Sequence, residues 1–230
     1  MSLQVSRAGG AALAALRAGP ATVFASFERS CYVESPAGIA CLGGPGLGMG
    51  PLNAIVEDFE SLPVGNSVSF HVERTGLWKP SAPSAMKKIP GIEIPESIQR
   101  PAQAFLDWIA GSGNADNRLI GLGPGLTPAG DDFVGGAMIA LRVRGTTAGD
   151  AALADRIAAW ALPLAKCNTN RISRAHLEFA AAGEGHEALH DLLCTFEEKH
   201  LARLARIGHT SGVDAAAGAL LALDAKICIA

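Results

Sequence analysis

Tyrosine occurs once in this 230-residue chain, and aromatic residues together make up 5% of it. No Lys/Arg run interleaves with them, so the stacking platform on a basic strip that would hold a single nucleic-acid strand is missing. A formal net charge of -3 gives no general attraction to phosphate backbones. Long apolar runs are scarce as well. The early stretch 8–18 is short and contains Gly9, Gly10 and Arg17, which fits neither a signal peptide nor a membrane span. These absences point to a cytoplasmic protein with no nucleic-acid and no membrane partner. The five cysteines (Cys31, Cys41, Cys167, Cys194, Cys228) are odd in number and contain no CxxC, which suits scattered reduced thiols rather than a disulfide frame or zinc site. GxSxG does not occur, and no lysine-hydroxyl pair follows the glycine-rich 43–51 to make it a nucleotide loop. No metal ligand set is assigned, and the cofactor is left unknown.

What the chain does have is a large apolar fraction, 49% against 18% charged, enough for a well-buried core at this length. Short β-rich runs fill the first part: 22–27, 31–34, 38–42 and 68–73, where Val68, Phe70 and Val72 alternate with Ser69, His71 and Glu73. The proline-rich stretch 79–101 reads as loop or linker. After Pro101 the pattern is helical. Ala102, Phe105, Leu106 and Ile109 share one face, closed by Gly111. Leu153, Ile157, Trp160 and Leu164 make a second stripe, and His186, His190 and His200 read as surface or helix-face residues. The expected architecture is α+β, with a β-rich N-terminal region (1–100) packed on a mainly α-helical C-terminal region (101–230) and a site between them.

The strongest signal is a repeated junction. Gly130, Asp132, Gly136, Ala137 and Leu141 in GLGPGLTPAGDDFVGGAMIAL have the same spacing as Gly212, Asp214, Gly218, Ala219 and Leu223 in GHTSGVDAAAGALLAL. Thr127 and Thr210 precede the two frames. Both helices are apolar almost all round, with small residues that admit close approach, so they are expected to pack on each other with their polar mouths at one end. Glycines such as Gly123 and Gly125 permit turns through positive φ that point N–H groups outward, and a helix start favours anions. That dipole supplies only about 0.3–1 kcal/mol, whereas a millimolar ligand needs about 4 kcal/mol. Side chains must therefore contribute, and Arg171 and Arg174 are candidates for gripping a carboxylate or phosphate.

Asp131 and Asp132 would repel an anion unless they turn away, cap the helix, or face a cation or an NH2 group. His209 sits in the loop before the second frame, where an imidazole can move a proton. Candidate catalytic residues are accordingly His209 and Asp132. Candidate substrate contacts are Gly123, Gly125, Thr127, Gly130, Asp131, Arg171, Ser173, Thr210, Ser211, Gly212 and Asp214. The bland alternatives are capping by Thr127, Asp131, Asp132, Thr169, Ser173, Asn168 or Asn170, and plain surface arginines.

On the two junction segments and on TNRISRAHLEFAAAGEGHEALHDLL between them, the chain resembles the bacterial AllH family, long known as a domain of unknown function. The three blocks stand in the family's order and span about the C-terminal half. The N-terminal part matches only in its β-rich character and in Trp-Lys-Pro at Trp78. The resemblance implies purine degradation and a subunit of oxamate carbamoyltransferase, working with FdrA-like and AllG-like subunits. The substrate class it implies is small, anionic or carbamoyl-bearing: oxalurate and phosphate give oxamate and carbamoyl phosphate. It assigns no catalytic role to Asp131, Asp132 or His209. A non-catalytic scaffold or regulatory subunit is one alternative. A metal-dependent hydrolase is another, since clustered Thr and Asp at helix starts are similar to those of ADP-ribosylglycohydrolases, although the β-rich N-terminal part differs.

Overall fold

The computed structural model describes residues 2–81, 91–145 and 147–227, with 226 and 227 described in their backbone alone. The fold is α+β and divides into two compact units, 1–80 and 81–230. The sequence reading of 82–90 as loop lies outside the described residues.

The first unit is a closed sheet. Strands β1 (Ser2–Ala8), β2 (Ala21–Ser26), β3 (Ser30–Ser35), β4 (Gly38–Gly43), β5 (Asn53–Val56) and β6 (Ser67–His71) follow one another with helix α1 (Gly10–Arg17) after the first. β7 (Gly76–Leu77) ends the unit. The order is β5-β4-β3-β2-β6-β1-β7, and β5 also pairs with β1, so six strands form a ring with β7 lying parallel to β1 on its open edge. Closure leaves few unpaired edges. Inside lie Val5, Val23, Val33, Leu42, Val56 and Val68, covered in part by Leu13 and Leu16 of α1. The runs read as strands at 22–27, 31–34, 38–42 and 68–73 correspond to β2, β3, β4 and β6. Val68 is buried and Phe70 and Val72 are partly buried against the same core, while Ser69, His71 and Glu73 are exposed, as the alternation requires. Cys31 and Cys41, on adjacent strands, are buried as free thiols, and burial pushes them up to about 11 and about 12 respectively.

The second unit is helical: α2 (Gln99–Ile109), α3 (Ala129–Arg144), α4 (Ala148–Asn168), α5 (Arg171–Ala181), α6 (Glu187–Thr195), α7 (Glu198–Leu204) and α8 (Ser211–Ile227). α3 is the axle. It packs on α8, α5, α4 and α6, and nearly every residue from Ala129 to Leu141 is buried, as an all-round apolar helix requires. Phe105, Phe133, Met138, Leu141, Ile157, Leu177 and Leu189 fill the interior. α4 departs from the expected stripe. Its buried face is Ala154, Ile157, Ala161 and Ala165, while Leu153, Trp160 and Leu164 lie at its margins. Small alanines bring the helices close, and the larger side chains lap over the contact. His190 and His200, read as surface or helix-face residues, are 1% and 7% exposed. Gly185 N–H donates to His190 Nε2, which holds that ring inside the α6 entry. No described helix is long and apolar enough to cross a membrane.

Candidate functional site

The two repeated junctions meet. A Cβ added at Gly136 would lie 1.9 Å from the Ala215 carbonyl oxygen, and one added at Gly218 would lie 1.8 Å from that of Phe133. Gly136 and Gly218 hold the same place in their frames, as do Phe133 and Ala215. The contact is therefore reciprocal, and the two helices cross backbone to backbone about a local pseudo-twofold. Their starts lie at the same end, because the Thr127 and Ser211 hydroxyls are 2.6 Å apart. The first glycines of the frames serve the approach to each helix. Gly130 presses on the Leu119 carbonyl and Gly212 on that of Leu204. Gly135, next to Gly136, faces α5 instead, where a Cβ would meet only ordinary contacts at Ala180 and Leu177.

A third helix start joins them. Asn170 caps α5 by accepting from the N–H groups of Ile172 and Ser173, and its Nδ2 donates to the Leu126 carbonyl at 2.8 Å. Ser173 Oγ then donates to Asp131 Oδ2 at 2.6 Å, while Gly121 N–H donates to Asp131 Oδ1 at 2.7 Å. Both oxygens of Asp131 thus have internal donors, and Asp131 and Ser173 are 2% and 1% exposed. This anchor ties loop, α3 and α5 into one frame. The sequence suggested Asn170 only as one of several caps. Its reach across 44 residues to Leu126 leaves no local pattern.

Gly121, Gly123 and Gly125 all have positive φ. At Gly123 the requirement is double, since a Cβ would also come within 2.8 Å of the Ala129 nitrogen. The turn leaves the N–H groups of Gly123, Gly125, Leu126 and Thr127 without a backbone acceptor among the described residues. Thr210 and His209 are exposed on the facing lip, ahead of α8. Arg171 is exposed at the first position of α5, and Arg174 pairs with Glu178 along the same helix.

Beneath the hydroxyl pair lie two further carboxyl groups. Asp132 and Asp214 each have an Oδ2 sealed from solvent and without a hydrogen-bond partner. Burial holds the Asp132 carboxyl well above the usual range, and the charges of Asp214 and Asp131 act in the same direction, while the neighbouring hydroxyls of Ser211 and Thr127 oppose them. Burial also raises Asp214, with the Thr210 hydroxyl opposing. Thr169 Oγ1, at the end of α4, is a third sealed polar atom without a partner. Among the described residues no three His, Cys, Asp or Glu side chains gather as a metal site. Such a place offers N–H donors and helix dipoles to an anion and carboxyl groups to a proton or an NH2 group.

Comparison with curated proteins and with solved structures gives no match. Residues 119–223 match the family model described as oxamate carbamoyltransferase subunit AllH. That segment holds both junctions and the α5 anchor, and over it the chain is similar to the AllH family.

Proposed function

We propose that the chain serves as a subunit of an oxamate carbamoyltransferase complex and contributes a substrate site at the joined starts of α3, α5 and α8. The observation that carries this reading is the 2.6 Å contact of Thr127 and Ser211, which joins the two mouths directly beside Asp132. In the proposed reaction a phosphate oxygen attacks the carbamoyl carbon of oxalurate. The bond from that carbon to the oxamate nitrogen breaks, the nitrogen takes a proton, and oxamate and carbamoyl phosphate leave.

Each group then has a task. The N–H groups of Gly123, Gly125 and Thr127 and the Arg171 guanidinium receive carboxylate or phosphate oxygens, whereas the N–H groups of Gly130 and Gly212, expected as substrate contacts, already donate to the Leu122 and Ile207 carbonyls. Thr127, Thr210 and Ser211 accept from or donate to the carbamoyl group. Asp132, held protonated by its surroundings, gives the proton to the leaving nitrogen, and exposed His209 exchanges it with solvent. Asp131 and Ser173 set the position of Asp132 through the anchor. Leu126 and Val213, 37% and 38% exposed, stand on the two lips. They favour closure of the site by a protein partner, in this reading an FdrA-like or AllG-like subunit.

The test is carbamoyl phosphate formation from oxalurate and phosphate by the reconstituted complex. Asp132→Asn is expected to lower kcat by about 10²–10⁴ with the complex still assembled, the range of a lost proton donor. Full activity in both Asp132→Asn and His209→Ala, with activity lost when Leu126 and Val213 are changed to Asp, would establish the scaffold reading instead.

A further inference from the structure

Asp132 and Gly136 lie one helical turn apart, as do Asp214 and Gly218. Because both glycines face the opposite helix at contact distance, both carboxyl groups project into the α3–α8 seam, one turn nearer the mouth. Asp214 is 3% exposed. The Oδ2 atoms of both residues are sealed and unpartnered. Asp132 is half-buried with its Oδ2 alone sealed, and two ionised carboxylates with sealed, unpartnered oxygens oppose each other. A proton kept on one of them lifts that opposition. A cation is disfavoured, because the crossing backbones leave little space and two helix starts already place positive potential there.

We propose that Asp132 and Asp214 form a carboxyl pair that retains a single shared proton at neutral pH, with Asp214 the positioning residue that keeps this proton on Asp132. The inference rests on the functional reading above only for the use of the proton, not for its presence. Burial raises both groups, and the charge of Asp214 adds to the rise at Asp132. Surrounding charges do not supply an alternative. Asp131 of α3 adds a further negative charge, α5 brings exposed Arg171 and the committed Ser173, and the end of α4 brings Thr169. His209, Thr210 and Ser211 stand at the start of α8. In α6 and α7, Arg203 pairs with Glu187 and Asp191, and in α2 Asp107 accepts from Gln103.

The experiment is a carboxyl-carbon NMR titration of the whole chain labelled at aspartate. Wild type is expected to show Asp132 and Asp214 titrating together in two well-separated steps, with one proton still held at neutral pH. Asp214→Asn should remove the upper step and bring Asp132 down by at least one pH unit, and Asp132→Asn should do the same to Asp214. Either variant suffices if the other fails to fold. Independent curves, or a curve unmoved by loss of the partner, would overturn the pair. The reconstituted complex supplies a separate readout: its pH–rate profile should lose activity at lower pH in Asp214→Asn. Coupled titration with an unchanged profile would leave the pair standing and defeat the catalytic reading. Uncoupled titration with activity lost in Asp132→Asn would do the reverse.

Discussion

Adjacent glycines in α3 should respond to alanine with opposite signs. At Gly136 the added Cβ would sit 1.9 Å from the Ala215 carbonyl oxygen, far inside the 3.4 Å at which ordinary contact begins. The obstacle is backbone, so no rotamer relieves it, and α3 and α8 must move apart by more than about an ångström. Overpacking of this kind costs about 1–3 kcal/mol. For a chain of this size that lowers Tm by about 2–12 °C. Gly135→Ala meets its nearest neighbour, the Ala180 Cβ, at 3.6 Å and gains helix propensity of up to about 1 kcal/mol, so its Tm should rise or hold. Gly218→Ala should repeat the loss seen at Gly136, since its Cβ meets the Phe133 carbonyl at 1.8 Å. Once one alanine has spread the seam, the second clash is already relieved, so the double variant should lose less than the sum of the singles. Thermal unfolding of the four variants by circular dichroism reads all of this. Gly136→Ala as stable as wild type, or strict additivity of Gly136→Ala and Gly218→Ala, would refute the reciprocal crossing.

Asp132→Asn should stabilise the chain at neutral pH while removing its function. Its folded pKa is raised, so the destabilisation of wild type is absent below the unfolded value of 3.8 and grows as pH rises from there through the folded pKa. The variant's Tm advantage, worth about 1–3 kcal/mol for a sealed unpaired group, should therefore widen from acid to neutral pH in differential scanning calorimetry. His190 acts in the opposite sense. Burial lowers it from 6.5 to about 4, so its contribution is complete above pH 6.5 and is lost as pH falls toward 4, by up to about 3 kcal/mol. His176, also lowered to about 4, adds to this acid sensitivity. Urea titrations across that window should show it, and His190→Gln should flatten the profile. Asn170→Ala removes the α5 cap and the Leu126 tie together, which should cost about 1–2 kcal/mol in urea unfolding and raise KM more than it lowers kcat.

The legible parts of this molecule are those where one residue type has one physical use. Glycine at a fixed place in two apolar helices signals close approach, and α3 and α8 do approach through Gly136 and Gly218. Alternation and β-branching marked β2, β3, β4 and β6, whereas β1 and β5 carry no comparable signal and are held by partners distant in sequence, Val5 against Val56 and Ala8 against Ala54. The stripe on α4 was displaced because pattern reading weights long side chains, and the contact surface is built from alanines. His190 went unrecognised because its cover comes from the turn at Gly185 rather than from its own helix face. The same limit applies to the site. Sequence spacing brought out Asp132 and Asp214 within the frames and Thr127 and Thr210 ahead of them, and it divided Asp132 and Asp131 between catalysis and substrate contact without showing what either touches. Adjacent in sequence, the two differ through one contact spanning 42 residues: Ser173 donates to Asp131, and Asp132 is left with a bare oxygen in the seam. Identical side chains at neighbouring positions thereby acquire different work, a fixed carboxylate that holds the loop and a carboxyl group free to carry a proton. The partition depends on α5, so displacing Asn170 or Ser173 would release Asp131 into the site and blur the distinction on which the proposed chemistry relies.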